Sequence, residues 1–323
     1  HGGLSNQSFL LRHGKWPAID SPLNSPLNSP LNRPGQFIAW DSQPLDVWSA
    51  KYAQGQLVTL DGRQTHYLVR GEGPDIILIH GFFFDSSCWQ QNIEALARHY
   101  RVYAIDLWGF GYSSRQALDC SYRLFSQQLL LFMDRLDIDS AVLVGQSLGG
   151  GIAMTFAVEH PDRVSQLVLV DAAGLPNPEP ITARVFMLPG VGEFLLRLPV
   201  DAIRRRMLDD FFLFDPQSIG SEQFQALVWS QKIAGSIASA LSIMRGRFAD
   251  KLEASIKQLA TTAVPILVIW GENDRAISPE IGRSMHACLP DSEFVLLESA
   301  GHVPNLEQPQ AFNRALLAFL SRP

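Results

Sequence analysis

The sequence predicts an α/β fold in which a mostly parallel β-sheet is covered by helices on both faces. Short, continuously apolar runs recur along the chain and alternate with stretches of helical periodicity. Such runs are typical of strands buried on both faces, and their alternation with helices is typical of parallel sheets. The alternation stops at about residue 176 and resumes after about residue 246, which indicates an insertion in a single large domain.

Eight strands are predicted in chain order. They span residues 57–60, 65–69, 75–79, 102–105, 141–144, 166–170, 265–270 and 293–297. The dipeptide Asp61-Gly62 is a hairpin signal and joins the first two strands. Helices are predicted over residues 87–98, 122–136 and 308–320. The resulting fold is an eight-stranded, mostly parallel sheet.

The domain organisation follows from where this pattern starts and breaks. Residues 51–175 and 247–323 form the predicted α/β core, and residues 176–246, rich in large apolar side chains, form a helical cap or lid. Residues 1–50 contain three Ser-Pro-Leu-Asn repeats, and proline at every fourth residue opposes helices and sheets alike. We therefore expect an extended or disordered N-terminal arm, with docking through Trp40 and Trp48 as the alternative.

Composition excludes several classes of function. The formal net charge of -6 argues against a nucleic-acid partner, which requires concentrated positive charge. No apolar run reaches the length of an integral membrane segment. The three cysteines are far apart, without metal-ligand spacing, and their odd number is a poor basis for disulfides. These features favour a reducing compartment, so we expect a cytoplasmic protein; the oligomeric state is left open.

The residues 145–149, Gly-Gln-Ser-Leu-Gly, carry the first chemical signal. They follow an apolar strand and precede a helical stretch, so the pattern G-x-S-x-G falls at a strand-turn-helix junction. At such a nucleophile elbow the serine has a strained backbone and an exposed hydroxyl, and flanking glycines avoid clashes with the neighbouring elements. Ser147 is therefore the candidate nucleophile.

Two further residues complete a possible catalytic triad. Asp274 and His302 each follow the carboxyl end of a separate predicted strand, as Ser147 does, and these ends meet at one edge of a parallel sheet. The order Ser, Asp, His distinguishes this triad from those of chymotrypsin and subtilisin. Since these residues supply nucleophile, base and charge stabilisation themselves, no metal or organic cofactor is implied.

The chain from about residue 56 to its end resembles the α/β-hydrolases, in the capped branch that includes carboxylesterases and meta-cleavage-product hydrolases. The motifs that carry the resemblance are residues 80–82 (His-Gly-Phe), Asp106 with residues 109–111 (Gly-Phe-Gly), 145–149, 271–274 and 301–302. The resemblance implies the α/β-hydrolase fold, the Ser-His-Asp triad and a lid inserted after strand six.

The resemblance also suggests the supporting groups. The backbone N–H groups of Phe82 and Leu148 would form the oxyanion hole. His80 is interpreted as a buried, hydrogen-bonded loop residue. Asp171, which ends the sixth strand, is the alternative triad acid, although we favour Asp274.

The expected activity is hydrolysis of a small-molecule carboxylic ester with a hydrophobic acyl or alcohol group. Candidate pocket residues are Phe83, Phe84, Trp108, Met187 and Val303. A serine nucleophile disfavours the aspartate-dependent dehalogenases and epoxide hydrolases. Two alternatives stay open: hydrolysis of a carbon–carbon bond, for which Arg184, Arg197 or Arg245 could serve, and ligand binding with slow or no turnover.

Overall fold

The computed structural model describes residues 37–116, 120–178, 181–246, 248–249 and 251–322. The Ser-Pro-Leu-Asn repeats of the predicted arm lie outside this part of the chain.

A single eight-stranded sheet forms the centre of the protein. Its strands are β1 (Gln56–Leu60), β2 (Arg63–Arg70), β3 (Asp75–Ile79), β4 (Arg101–Ile105), β5 (Ala141–Gln146), β6 (Val164–Val170), β7 (Ile266–Gly271) and β8 (Glu293–Leu297). Their spatial order is β1-β2-β4-β3-β5-β6-β7-β8. β2 pairs antiparallel with β1 and β4, and all other pairs are parallel. The predicted fold class is confirmed.

Both faces of the sheet are buried, which explains the uninterrupted apolar runs. In β3, Ile77 and Ile79 belong to one hydrophobic cluster, whereas Ile76 and Leu78 belong to a second cluster. Successive side chains of a strand point to opposite faces, so a sheet covered on both faces needs apolar residues at every position.

Helices cover the two faces. The core helices are α2 (Gln90–Leu96), α3 (Tyr122–Arg135), α4 (Leu148–Glu159), α10 (Glu253–Leu259), α11 (Pro279–Cys288), α12 (Pro304–Glu307) and α13 (Pro309–Leu320). α3, α4, α10 and α11 bury side chains in the first cluster, and α2, α12 and α13 in the second. No helix of the described residues has both the length and the apolar character needed to cross a bilayer.

Five α-helices lie between β6 and the core helix α10, in place of a strand. They are α5 (Ile181–Met187), α6 (Val191–Arg197), α7 (Ala202–Met207), α8 (Ser221–Val228) and α9 (Ser236–Gly246). We call residues 181–246 the helical insertion. It follows strand six, as the resemblance implies, and several of its apolar side chains extend the second cluster of the core.

The described part of the predicted N-terminal arm, residues 37–50, is folded and packed, in contrast to the prediction of an extended or disordered arm. It forms a helix, α1 (Leu45–Tyr52), and buries Trp40 and Trp48. The Trp40 ring lies between two cations of the helical insertion, with Lys232 Nζ 3.1 Å and Arg204 Cζ 3.7 Å from the ring centroid. Burial of large aromatic surfaces and the cation–π contacts stabilise this packing. The spacing of the prolines, on which the prediction of an extended arm is based, gives no information about these contacts.

Candidate active site

Ser147 occupies the sharp turn between β5 and α4. Its backbone has φ 53° and ψ -116°, a conformation that side chains other than glycine rarely adopt. A Cβ atom on Gly145 would lie 2.2 Å from the carbonyl oxygen of Gly149, and one on Gly149 would lie 2.3 Å from that of Ile79. The two glycines are therefore required by close backbone packing, and the turn has the geometry of a nucleophile elbow.

Hydrogen bonds to β6 and the segment after it hold the strained turn in place. The N–H of Ser147 donates to the carbonyl of Val170 at 2.8 Å, and the N–H of Ala173 donates to the carbonyl of Ser147 at 3.0 Å. Strained backbone persists only where its surroundings hold it on several sides. The elbow is thus supported by its neighbouring strand as well as by its own helix.

His302 and Asp274 form a buried hydrogen-bonded pair. His302 Nδ1 lies 2.7 Å from Asp274 Oδ2, and the second carboxylate oxygen accepts hydrogen bonds from the N–H groups of Ala276 at 2.8 Å and Ile277 at 3.0 Å. A carboxylate oxygen accepts hydrogen bonds and cannot donate them, so His302 Nδ1 donates to Asp274 and carries the proton of the imidazole. Nε2 is left as the basic nitrogen, as a general base for a serine requires.

A glutamine links the elbow to the loop that carries His302. The side-chain amide of Gln146, the residue before Ser147, donates to the carbonyl oxygen of His302 at 2.7 Å. Gln146 is fully buried, and the position of Gly81 beside its amide leaves no space for a Cβ atom. Sequence reasoning assigned Gln146 no role, because nothing local distinguishes it from other variable positions of the G-x-S-x-G pattern.

Asp171 lies close to the same pair but is bonded differently. Its Oδ1 accepts the N–H of Gly271 at 2.8 Å, whereas its Oδ2 has no hydrogen-bond partner. Burial, together with the neighbouring Asp274 carboxylate, raises the pKa of Asp171 well above its usual range. Asp274, and not Asp171, is therefore the carboxyl group hydrogen-bonded to the imidazole.

Asp171, Asp274 and His302 are also grouped tightly enough to raise the question of a metal ion, since each offers a ligand atom within 4.8 Å of the others. Their chemistry opposes this use. His302 Nδ1, both oxygens of Asp274 and Oδ1 of Asp171 are already engaged in hydrogen bonds. Metal ligands must be deprotonated and free to coordinate, so the donor set fits a hydrogen-bonded triad better than a metal site.

Two backbone N–H groups are available as an oxyanion hole. In the described part of the chain, neither Phe82 nor Leu148 uses its N–H in a hydrogen bond. Leu148 is the first residue of α4, where N–H groups have no partner within the helix. The two predicted donors are thus unpaired and stand beside the elbow, Leu148 directly after Ser147 and Phe82 directly after Gly81, whose Cβ would lie 2.9 Å from Ser147 Cβ.

His80 controls the orientation of the Phe82 N–H. The N–H of Leu107 donates to His80 Nε2 at 3.0 Å, so the proton of this imidazole is on Nδ1, which lies 2.8 Å from the carbonyl oxygen of Gly81. Across a trans peptide, the carbonyl of Gly81 and the N–H of Phe82 point in opposite directions. Holding the carbonyl on one side therefore directs the N–H to the other. Burial lowers the pKa of His80, which keeps it neutral for this role.

Replacing His80 with alanine should lower kcat for the preferred substrate by about tenfold, because a displaced oxyanion donor loses part of its transition-state stabilisation. KM should change less, since the oxyanion exists only in the transition state. Steady-state kinetics would measure both values. A change confined to KM would contradict this function of His80.

An apolar cavity of about 590 Å³, including the space at its mouth, lies between the core and the helical insertion. Of the predicted pocket residues, Phe83 and Phe84 line it, as does Phe82. The insertion supplies lining residues that the sequence analysis did not name, among them Phe186, Leu196, Met207, Ile237, Ala240 and Met244. These residues share only an apolar character, which a lid needs for packing in any case.

Trp108, Met187 and Val303 do not line this cavity, in contrast to the prediction. Trp108 is fully buried in the first core cluster, and Val303 is buried in the second. The carbonyl of Met187 accepts a hydrogen bond from Arg245 at the surface, whereas the preceding residue, Phe186, faces the cavity. Position after a strand end or in a helix does not determine which side chains face the cavity.

Two arginines line the cavity, and neither was predicted. Arg115 donates to the carbonyls of Phe110 and Ser113, and Arg204 donates to Gln231 and to the carbonyl of Leu196. The cavity-lining residues do not include the arginines considered earlier, Arg184, Arg197 and Arg245. Arg197 pairs with Asp41, and Arg245 pairs with Glu193.

Comparison with known proteins agrees with this geometry. The sequence profile of the α/β-hydrolase fold family matches residues 74–309, which is most of the chain and includes Ser147, Asp274 and His302. The chain belongs to the α/β-hydrolase family.

Related α/β-hydrolases include proteins of two named activities. A 2-hydroxy-6-oxononadienedioate/2-hydroxy-6-oxononatrienedioate hydrolase of Paraburkholderia xenovorans is 31% identical, with 80% of this chain and 91% of the relative covered. A pimeloyl-[acyl-carrier protein] methyl ester esterase of Vibrio cholerae is 28% identical, with 80% and 98% covered. Family and relatives together indicate a hydrolase.

Solved structures give the same assignment. A meta-cleavage product hydrolase from Pseudomonas fluorescens IP01 superimposes with a TM-score of 0.71 at 27% identity, over 82% of this chain and 97% of the other. The fold of this α/β-hydrolase is therefore similar to that of an enzyme of known structure over most of both chains.

A third buried histidine of this α/β-hydrolase, His66, belongs to the scaffold. His66 Nδ1 lies 2.7 Å from Asp106 Oδ2, and its Nε2 lies 2.8 Å from the carbonyl of Gln54, so both ring nitrogens face acceptors, an arrangement that favours the protonated ring. Burial alone would lower the pKa of His66, but Asp106 outweighs it and the pKa is raised. Burial alone would raise the pKa of Asp106, but His66 and other donors hold it at about 2.

The pair predicts a pH window of stability. The folding stability contributed by the ionised Asp106 is present above its unfolded pKa and is lost as pH falls towards about 2. The folding stability contributed by the protonated His66 is lost as pH rises through its raised pKa. His66→Gln should cost about 3 kcal/mol in the free energy of unfolding at pH 6, because it removes the cationic partner of the buried Asp106 carboxylate and leaves it with backbone donors. The difference from the wild type should shrink towards pH 2.

Urea unfolding at pH 6 and at lower pH values would measure this difference. Arg206→Gln is the control, because it removes an exposed ion pair with Asp210 and should cost less than about 1 kcal/mol. Equal costs for the two variants would contradict a stabilising role for the buried pair.

Proposed function

We propose that the protein is a serine hydrolase that cleaves carboxylic esters through an acyl-enzyme intermediate. The observation that carries the proposal is a serine on a strained elbow, tied through Gln146 to the loop of a histidine whose Nδ1 is bonded to Asp274. Ser147 Oγ attacks the ester carbonyl carbon, and His302 Nε2 accepts the hydroxyl proton. The tetrahedral oxyanion accepts hydrogen bonds from the Phe82 and Leu148 N–H groups.

The remaining steps use the same groups. Collapse of the tetrahedral intermediate breaks the bond to the alcohol, which takes the proton from His302. Water then attacks the acyl-enzyme, His302 accepts a proton from this water, and the carboxylic acid leaves with Ser147 restored. Asp274 keeps the imidazole in one tautomer and stabilises its charged form, since its carboxylate remains hydrogen-bonded on both oxygens.

The cavity supports an apolar substrate group. Phe82 belongs both to the proposed oxyanion hole and to the cavity wall, whereas Ser147 and His302 are not among the lining residues. Phe82 therefore connects the proposed catalytic groups with the cavity. Its walls are mainly aromatic and aliphatic side chains, which favour a hydrophobic acyl or alcohol group. In this proposal the helical insertion acts as the lid, because it supplies one wall of the cavity.

Hydrolysis of a carbon–carbon bond is the second candidate. It is supported by relatives named as hydrolases of 2-hydroxy-6-oxo acids and of a meta-cleavage product. The same nucleophile and base would serve. The esterase relative and the mainly apolar cavity wall support ester hydrolysis as the first choice.

A substrate panel tests the choice. Short and medium p-nitrophenyl esters and a 2-hydroxy-6-oxo dienoic acid should be assayed with the same enzyme preparation. We expect ester turnover that exceeds turnover of the dienoic acid. Activity on the dienoic acid with none on esters would replace the first candidate with the second.

A fluorophosphonate probe tests the third alternative, a ligand-binding protein without turnover. The probe reacts with a serine that a neighbouring base activates. We expect rapid covalent labelling of Ser147, located by mass spectrometry of the labelled peptide. Failure to label Ser147 would contradict serine hydrolase chemistry of any kind.

A further inference from the structure

One segment of the helical insertion contacts the loop that carries His302. Residues Leu208–Phe212 form a π-helical turn, an irregularity that is often found at functional sites. The N–H of His302 donates to the carbonyl of Phe212 at 2.8 Å. The Phe212 ring stacks on the imidazole of His302, with centroids 5.5 Å apart and planes inclined by 25°. The insertion therefore holds both the backbone and the ring of the proposed base.

Glu307 strengthens this contact from the other side. Its Oε2 accepts the N–H of Gly301 at 2.6 Å, while its Oε1 accepts those of Phe214 at 2.9 Å and Asp215 at 3.1 Å. One carboxylate thus joins the residue before His302 to the residues that follow Phe212. A Cβ on Gly301 would lie 2.6 Å from the carbonyl oxygen of Phe212, so the two segments are in close contact.

Phe212 also contacts the loop that follows the proposed oxyanion donor. Its ring centroid lies 5.7 Å from that of Phe83 and 5.5 Å from that of Phe84. Phe83 and Phe84 both line the cavity, and they are the next two residues after Phe82. Phe212 is consequently the shared neighbour of the base and of the loop that supplies one donor to the oxyanion.

We propose that Phe212 is a positioning residue that holds the His302 imidazole in a set orientation relative to the Phe82–Phe84 loop. The inference rests on the proposed function. The hydrogen bond that His302 Nδ1 donates to Asp274 restrains one atom of the imidazole but allows the ring plane to tilt about that atom. Stacking of the Phe212 ring restricts this tilt. Phe212 acts through His302 and is not among the cavity-lining residues.

Phe212→Leu should lower kcat for a short p-nitrophenyl ester by about 10- to 100-fold, because small misplacements of reacting groups are costly. KM should stay within about twofold, since the cavity wall is unchanged. The rate of fluorophosphonate labelling should fall by a similar factor, because labelling also needs the base. Phe212→Tyr keeps an aromatic face and should retain most of the activity.

Phe224→Leu is the matched control. Phe224 is a buried phenylalanine of the same insertion and the same core cluster, and the contact described for its ring is with Arg205. This variant should keep kcat within about twofold of the wild type. Thermal unfolding checks that both leucine variants fold. If Phe212→Leu does not fold, Phe212→Met, which fills a similar volume without an aromatic face, should show the same loss of kcat.

The outcomes separate this inference from the proposed function. Equal effects of Phe212→Leu and Phe224→Leu, or a loss confined to KM, would overturn the positioning role while Ser147-dependent ester turnover still supported the hydrolase. An unreactive Ser147 in the wild type would overturn both. A selective loss of kcat and of labelling rate, restored by Phe212→Tyr, supports the inference.

Discussion

Replacing Ser147 with alanine should abolish ester hydrolysis, with a loss in kcat of about a million-fold. The hydroxyl is the atom that forms the acyl-enzyme, and no other group in the proposed mechanism can take its place. Background turnover from the oxyanion N–H groups and from substrate binding should remain, because these features do not depend on the side chain of residue 147. Single-turnover assays with a p-nitrophenyl ester measure the loss over the full range.

Ser114→Ala is the matched control for this prediction. Ser114 and Ser147 are both 8% exposed, and the hydroxyl of Ser114 accepts a hydrogen bond from the N–H of Gln64, outside the proposed mechanism. We expect its kcat to stay close to the wild-type value. If Ser147→Ala retained labelling and ester turnover, the elbow would not be the active site and the proposed function would be wrong.

Replacing Asp274 with asparagine should lower kcat by about 10⁴-fold. The asparagine oxygen can still accept the N–H groups of Ala276 and Ile277, which directs its amide NH₂ group towards His302 Nδ1. An NH₂ group cannot accept the Nδ1 proton, so the imidazole would carry its proton on Nε2. In that tautomer it cannot accept the proton of Ser147.

Asp171→Asn is the control, and it also tests the alternative triad acid. The Asp171 carboxyl accepts a hydrogen bond from the N–H of Gly271, and an asparagine side-chain oxygen can accept the same hydrogen bond. We expect a loss in kcat of less than about tenfold. A larger loss for Asp171→Asn than for Asp274→Asn would show that Asp171 is the functional acid.

Much of the candidate site was predictable because its signals are local. The turn at Ser147 requires glycines two residues before and after it, and these close contacts are encoded within five residues. Asp274 and His302 could be located because each lies in the segment that follows an apolar strand, and parallel strands bring their carboxyl ends to one edge. The antiparallel placement of β2 beside β4 and the direction of each cavity-lining side chain depended on packing between distant segments.

The contacts missed by sequence reasoning join residues far apart in the chain. Gln146 and His302 are separated by 156 positions, and Trp40 and Val200 by 160. In both pairs, neither residue needs a special backbone conformation for the contact, so no local sequence motif identifies it. The same holds for Phe212, which appeared in the sequence only as one of several large apolar residues of the insertion.

The sequence by itself determined the fold class, the elbow and the strand ends where chemistry was expected, because glycine geometry and hydrophobic periodicity are properties of short segments. Only the tertiary structure decided which carboxylate is bonded to His302, which side chains of the insertion face the cavity and which aromatic ring stacks on the imidazole. Those outcomes depend on distances of a few ångström between elements whose relative positions arise from packing of the whole core.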